Sequence, residues 1–321
     1  MKILLADKFP SFGIDLLSAL GHSCILKPDL LEDDLPHEVS DAEILVVRST
    51  KVTQKTIRSA PNLKMIIRAG AGTNTIDKSE ASLKKIPVCN VPGRNAAAVS
   101  ELVMGLIISI DRNIPDNVLD LRQGCWNKKR YGASEGLYGK SLGVIGVGAI
   151  GLAVLERARG FGLRMQVIAK SGRPKKLQKR MLEIGVQTVS DLETLISGSD
   201  ILTFHLPANS STKKMIDSTF LQRVKHGTVL INTSRGDLID EEALIRYLNE
   251  KDLRVGLDVY DKEPSTSSGI FNSELAKHPN VYGTHHIGAS TAQAQRAVTE
   301  GVIEIVEAFA NGQVLNCVNI P

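Results

Sequence analysis

Short, unbroken apolar runs alternate with helical periodicities along almost the whole chain, and this alternation restricts the fold more than any other feature. KILLA (2–6), EILVV (43–47), KMIIRA (64–69) and IPVCNV (86–91) are continuous rather than alternating in polarity. A strand reads this way when helices cover both of its faces, as in a parallel sheet. After the long apolar helix AAAVSELVMGLIISI (96–110) a second series follows: SLGVIG (141–146), RMQVIA (164–169), DILTFH (200–205), GTVLINT (227–233), RVGLDV (254–259) and NVYGTH (280–285). Helical stretches such as DEEALIRYLNE (240–250) lie between these runs. The pattern predicts an α/β fold of two doubly wound parallel-sheet domains, and the length of 321 residues suits two domains. A last helix over 290–311 precedes GQVLNCVNIP, whose apolar residues are expected to complete a sheet.

With aromatics at 4%, the core must rest on Ile, Leu, Val and Ala. The net charge of +4 is spread without a Lys/Arg run, which argues against nucleic acid and suits a small anionic ligand. Cys24, Cys89, Cys125 and Cys317 lie far apart with no paired spacing. Neither a metal site nor a disulfide framework is expected from them, and a reducing compartment is. MKILLADKFP lacks the length and cleavage site of a signal peptide, so a cytoplasmic location is expected. The apolar run 142–155 is too short and too rich in glycine to span a bilayer, and no membrane association is expected.

Gly146, Gly148 and Gly151 form G-x-G-x-x-G. The motif follows a strand, opens the helix that starts with Ala149 and Ile150, and is followed by another strand within βαβ length, which is the context of a dinucleotide turn. Gly146 permits the tight turn, Gly148 lets the backbone approach a pyrophosphate, and Gly151 lets helix and strand pack closely. Such sites place an acid after the next strand to hold the ribose hydroxyls, but here stand Lys170, Ser171, Gly172 and Arg173. Ser171 cannot repel a 2′-phosphate and Arg173 offers it a guanidinium. NADP(H) is therefore favoured, with NAD(H) as the alternative.

Other polar residues stand just past strands of the same series, where α/β proteins bind ligands. NTSRGDLIDEEAL (232–244) carries Arg235, LDVYDKEP (257–264) carries Asp258 and Glu263, and GTHHIGAST (283–291) carries His285 and His286. Reduction of a 2-oxo acid needs a hydride at carbon and a proton at oxygen. A guanidinium suits the carboxylate, an imidazole suits the proton, and a carboxylate beside the imidazole orients it. Each residue alone has an ordinary reading as a salt-bridge partner, a turn residue or a satisfied histidine. Their joint placement after three strands favours catalysis. His285 is the weaker of the histidine pair, because strand alternation points only one inward.

The segments VPGRNAAAVSELVMGL, LYGKSLGVIGVGAIG, INTSRGDLIDEEAL, LDVYDKEP and HIGAST resemble the D-isomer-specific 2-hydroxyacid dehydrogenase family along nearly the whole chain. Within it, VVRSTKVT, RAGAGTNTID, VCNVPGRNA and HIGASTAQAQ are most similar to D-3-phosphoglycerate dehydrogenases. The resemblance implies a flavodoxin-like substrate domain from 1–98 plus 287–321 and an inserted Rossmann cofactor domain over 99–286, with a cleft between. It also implies a homodimer built around the arm near 99–135. Arg235, Glu263 and His286 match the family's catalytic positions. Ala149, Ile150, Thr233, Ser234, Asp258 and Gly288 match cofactor contacts, with Asp258 near the nicotinamide amide. Arg48, Arg68, Ala71 and Gly72 fall in the segments that meet substrate, and Arg48, Lys51 and Arg68 could together meet a phosphate.

The sequence departs from the family pattern at Ser171, at His285 (usually Pro) and in the GAGTNT loop. The implied activity is hydride transfer between a nicotinamide cofactor and a small anionic 2-hydroxy or 2-oxo acid. One alternative is an NADPH-dependent glyoxylate or hydroxypyruvate reductase. Another, of a different class, is a corepressor-like protein that senses NAD(H).

Overall fold

The computed structural model describes residues 1–264 and 268–320; Pro321, the last residue of the expected substrate domain, lies outside the described residues. The chain divides into two compact units, Met1–Asn95 with Ala289–Pro321, and Ala96–Gly288.

The first unit is a parallel sheet of β1 (Lys2–Leu5), β2 (Ser23–Leu26), β3 (Ile44–Val47), β4 (Met65–Arg68) and β5 (Val88–Asn90), in the order β2-β1-β3-β4-β5. This is the flavodoxin-like order, with its switch point between β1 and β3. Leu4, Leu45, Val47, Ile66 and Val88 point to one face, against Leu35, Ile57 and Ile76. Ile3, Leu5, Ile44, Val46 and Ile67 point to the other, against Leu17 and against Val298, Val302 and Val306 of the helix Ala292–Ala310. Both faces of each inner strand are therefore apolar, which is why the runs are unbroken. Side chains of Thr53, Asp77 and Thr291 accept the N–H three residues on and start their helices.

The segment after the last helix does not become a strand. Cys317 makes one antiparallel bridge with Cys89, flanked by Asn90 N–H to Asn316 O at 3.2 Å and Val318 N–H to Val88 O at 2.9 Å. Asn316 has φ +52°, which breaks the extended run. The Asn319 side chain continues the cover of this edge, accepting from Val88 N–H at 2.7 Å and donating to Ile86 O at 2.9 Å.

The second unit holds β6 (Ser141–Ile145), β7 (Arg164–Ile168), β8 (Gln187–Val189), β9 (Ile201–Phe204), β10 (Val229–Asn232), β11 (Arg254–Leu257) and β12 (Val281–Gly283). All are parallel, in the order β12-β11-β10-β9-β6-β7-β8. Counted from β6, this is the Rossmann order with one strand added, and its switch point lies between β6 and β9. The helix Ala96–Arg112 buries Val103, Leu106, Ile107 and Ile110 against Val144, Val154 and Ile231. Neither β2 nor β8 lies in an apolar run; both are edge strands and most of their residues are exposed or half-buried. Among the described residues no helix is long and apolar enough to cross a membrane, and no cluster of His, Cys, Asp or Glu could hold a metal ion.

Candidate active site

The glycine turn sits at the switch point of the second unit. β6 ends at Ile145 and the helix Ala149–Gly160 begins four residues later. Gly146 has φ +99°, and a Cβ there would lie 2.5 Å from the carbonyl oxygen of His205. A Cβ on Gly151 would lie 2.1 Å from the carbonyl oxygen of Gly146. Gly148 is different, for a Cβ there would meet nothing within 4 Å. Two glycines are thus demanded by packing and the third faces open space at a helix N-terminus. The first turn of that helix, with Ala149 and Ile150, carries no acid. Its N–H groups and dipole suit a pyrophosphate, so the residues present fit a dinucleotide.

At the neighbouring strand ends two buried polar atoms, His205 Nδ1 and Thr233 Oγ1, have no hydrogen-bond partner. His205 Nε2 meets Thr203 Oγ1 at 3.0 Å, and burial lowers the imidazole pKa to about 4. His205 is thus neutral near pH 7 and adds no charge beside the turn. The sequence reading passed over it; its signal is a polar residue closing the apolar run DILTF. After β7, Ser171 is exposed, and Gly172 has φ +72° with open space where a Cβ would sit. Arg173 is folded back, its Nη2 donating to Ile168 O at 3.1 Å.

The second unit also brings Arg235, Glu263 and His286 together. Asn232, 1% exposed at the end of β10, sets the first of them. Its Oδ1 accepts from the N–H and hydroxyl of Ser234 at 3.0 and 2.7 Å, and its Nδ2 donates to Arg235 O at 2.8 Å. Gly236 lets this turn rest on the backbone of Tyr260, where a Cβ would lie 2.0 Å from the carbonyl carbon. Burial lowers the Arg235 pKa from its ordinary value, opposed by the nearby charges of Glu263 and Asp237. Its Nη1 donates to Ser234 O at 2.6 Å. Glu263 Oε2 accepts from Tyr260 N–H at 3.3 Å, and its Oε1 lies 2.5 Å from His286 Nδ1.

His286 is not on a strand. β12 ends at Gly283, so alternation does not separate His285 from His286. His286 instead has φ +51°, a left-handed backbone that costs a non-glycine residue ~1–3 kcal/mol and persists only where its surroundings impose it. Asp258 lies just past β11 and is 1% exposed. Both its carboxylate oxygens are engaged by Thr284, Ile287 and Gly288.

Arg48, Arg68, Ala71 and Gly72 lie in the other unit. Arg48 follows β3 at that unit's own switch point, its loop fixed by Asp7 Oδ2, which accepts from the N–H groups of Arg48, Ser49 and Thr50 at 2.6, 3.1 and 3.2 Å. The Arg48 side chain is held by Gln295 at 2.9 Å, and its pKa is lowered by burial. With Lys8, Thr291 and Gln295 it lines an open cavity of about 370 Å³. Arg68 ends β4, and its Nη1 takes the space a Cβ on Gly70 would need. Asn90 Nδ2 donates to Ala71 O at 2.6 Å and holds the loop of Ala71 and Gly72. Lys51 is paired with Glu32 at 3.3 Å, so its charge is already partnered.

Comparison with known proteins gives the family of the chain. Residues 104–288 match the NAD binding domain of the D-isomer specific 2-hydroxyacid dehydrogenases. The D-3-phosphoglycerate dehydrogenase of Methanocaldococcus jannaschii is 38% identical over 325 aligned positions, which cover 100% of this chain and 60% of that protein. The chain thus spans less than two thirds of that relative. The hydroxypyruvate reductase of Thermotoga maritima is 42% identical over 280 positions, 87% of each chain. Among solved structures, an acyclic imino acid reductase in complex with NADPH and D-Arg has a TM-score of 0.86 at 27% identity, covering 99% of this chain and 100% of that one. A glycine turn at the switch point of a Rossmann sheet is common to many dehydrogenases, but the match over 104–288 is particular, and the chain belongs to the D-isomer specific 2-hydroxyacid dehydrogenase family.

Proposed function

We propose that this chain is a D-2-hydroxyacid dehydrogenase that interconverts a small 2-oxo acid and the corresponding 2-hydroxy acid. The observation that carries the reading is the 2.5 Å contact of His286 Nδ1 with Glu263, beside the half-buried Arg235. A carboxylate only accepts, so Nδ1 carries the hydrogen and Nε2 is left to exchange a proton with the substrate oxygen. His286 is the acid in reduction and the base in oxidation. Arg235 binds the substrate carboxylate through its planar fork, and burial strengthens that attraction. Gly146, Gly148, Ala149, Ile150, Gly151, Thr233 and Ser234 hold the nicotinamide cofactor, which supplies or accepts the hydride when bound.

NADP(H) is the preferred cofactor in this reading, supported by the absence of an acid at Ser171 and the nearby Lys170 and Arg173. The unit Ala96–Gly288 binds cofactor, and the unit with Arg48, Arg68, Ala71 and Gly72 binds substrate. A 3-phospho acid is supported by Arg48 and Lys8 around their cavity. A second reading, a hydroxypyruvate or glyoxylate reductase, is favoured by the Lys51–Glu32 pair, which removes one cation from the phosphate set, and by the 42% identity to a hydroxypyruvate reductase of similar length. Exposed Leu119, Leu121 and Trp126 support an arm that pairs two copies, and a cytoplasmic location fits the four free cysteines.

The test is turnover of 3-phosphohydroxypyruvate, hydroxypyruvate, glyoxylate and branched 2-oxo acids by wild type and His286→Ala. The substitution should lower kcat at least about 100-fold with cofactor affinity unchanged. Retention of more than about a tenth of turnover would remove His286 from the reaction.

A further inference from the structure

We infer that Cys89 and Cys317 form a dithiol site that a peroxide closes to a disulfide, stapling the segment after the last helix to β5. Cys89 lies within β5, at the edge of the first sheet, and Cys317 faces it across an antiparallel bridge. The two backbone bonds of that bridge are made by their neighbours, Asn90 N–H to Asn316 O at 3.2 Å and Val318 N–H to Val88 O at 2.9 Å. Cys89 and Cys317 therefore occupy a non-hydrogen-bonded pair, the kind in which Cα atoms stand about 4.5 Å apart and side chains come closest. That spacing lies inside the roughly 4.4–6.8 Å that a disulfide spans. Directly opposed residues also share a face of the sheet. Both side chains accordingly pack on the apolar cluster of Ile3, Leu5, Ile44 and Ile67. The other two cysteines are elsewhere: Cys24 is on β2 at the opposite edge of the sheet, and Cys125 is in the second unit.

The pair is asymmetric. Cys89 is fully buried, and burial, with the neighbouring Cys317 thiol adding to it, pushes its pKa up to about 12. Cys317 is half-buried and is the sulfur that a small oxidant reaches. Its thiol gives up a proton, its sulfur attacks an oxygen of hydrogen peroxide, and the O–O bond breaks to leave a sulfenic acid and water. The Cys89 sulfur then attacks the sulfenic sulfur. The S–S bond forms, the S–O bond breaks, and the Cys89 proton leaves with the hydroxyl as a second water. The two thiols together lose two electrons and the peroxide gains them. Closure strands no polar atom. The Cys317 thiol donates to Asn319 Oδ1 at 3.4 Å, but that oxygen also accepts from Val88 N–H at 2.7 Å. Its high pKa makes Cys89 a slow leaving group, so the disulfide is reduced slowly once formed. The bond closes a loop that contains the whole of Ala96–Gly288, and a long closed loop takes much entropy from the unfolded chain.

The experiment treats the full chain with near-stoichiometric hydrogen peroxide, then denatures and alkylates it. Cys125→Ser is the parent protein throughout, because that exposed thiol would link separate copies. Intact mass counts the thiols, and peptide mapping without reduction finds the linkage. A peptide joining Cys89 to Cys317 is expected, with a mass loss of two hydrogens that dithiothreitol reverses. The oxidised parent should unfold at a Tm about 5 °C or more above the reduced one. Cys317→Ser and Cys89→Ser should each abolish both the linked peptide and the gain in Tm, whereas Cys24→Ser should keep them. If Cys89→Ser does not fold, Cys317→Ser decides. A Cys317 carried on to sulfinic acid while Cys89 stays open to alkylation would overturn the inference. So would a Cys317→Ser protein that keeps the gain in Tm on oxidation.

Discussion

Lowering the pH below neutrality loads a proton onto His205, and the fold should resist it by a calculable amount. Burial moves the imidazole pKa from 6.5 to about 4. The unfolded chain therefore takes the proton first as pH falls. Stability from this group is complete above pH 6.5, declines between 6.5 and about 4, and falls no further below that. At ~1.36 kcal/mol per unit the full effect is about 3 kcal/mol, of which about 2 is reached by pH ~5. Part of the residue reaches solvent although Nδ1 does not, so this is an upper figure. The assay is urea unfolding of wild type and His205→Gln at about pH 7.5, 6 and 5, followed by far-UV circular dichroism. Tryptophan fluorescence would report poorly, because Trp126 is 80% exposed. The fixed cost of the substitution cancels in the comparison across pH, and the transition that differs between the two proteins is the one to read. Wild type should lose about 2 kcal/mol more than the variant between pH ~7.5 and ~5. Parallel pH dependences, or a folded-state imidazole pKa near 6.5 by NMR, would refute the reasoning.

Three further outcomes follow from the site. Arg235→Lys keeps the charge and loses the fork, so KM for the oxo acid should rise about tenfold or more while cofactor Kd holds; steady-state kinetics with a separate cofactor titration checks this. Ser171→Asp should shift the ratio of kcat/KM for NADPH over NADH toward NADH, and Arg173→Ala should lower NADPH use alone. A wild type that favours NADH and an Arg173→Ala variant that keeps its NADPH use would end the NADP(H) reading. Gly151→Ala drives a Cβ to 2.1 Å from Gly146 O, so it should push the helix off β6, weaken cofactor binding in titration and lower Tm by several degrees.

The sequence carries the two sheets because the inner strands are apolar on both faces. β3, buried at every residue, is the clearest case. β2 and β8 escape the same reading for the converse reason: SCIL and QTV lie at sheet edges and bury little. The glycine turn is legible because packing demands Gly146 and Gly151. Arg235, Glu263 and His286 are legible as residue types just past strands, but their arrangement is not. His286 takes a left-handed backbone without being glycine, and the bonds of Asp258 join segments 26 to 30 residues apart. No local pattern announces these. Arg173 shows the limit from another side, since its position near the ribose loop could be read while its bond to Ile168 O could not.

The first unit takes its pieces from both ends of the chain, and this has a consequence for synthesis. Its sheet leaves the ribosome early, yet the face carrying Ile3, Leu5, Ile44 and Val46 has only part of its cover, from Leu17 and its helix, until Val298, Val302 and Val306 emerge. At ~5–20 residues per second, the ~200 residues between occupy about 10–40 s. The unit Ala96–Gly288 is continuous and has its whole sheet available before that. The N-terminal segment is thus translated first and completed last. During that interval its half-covered face is exposed to aggregation and is a place for a chaperone to act.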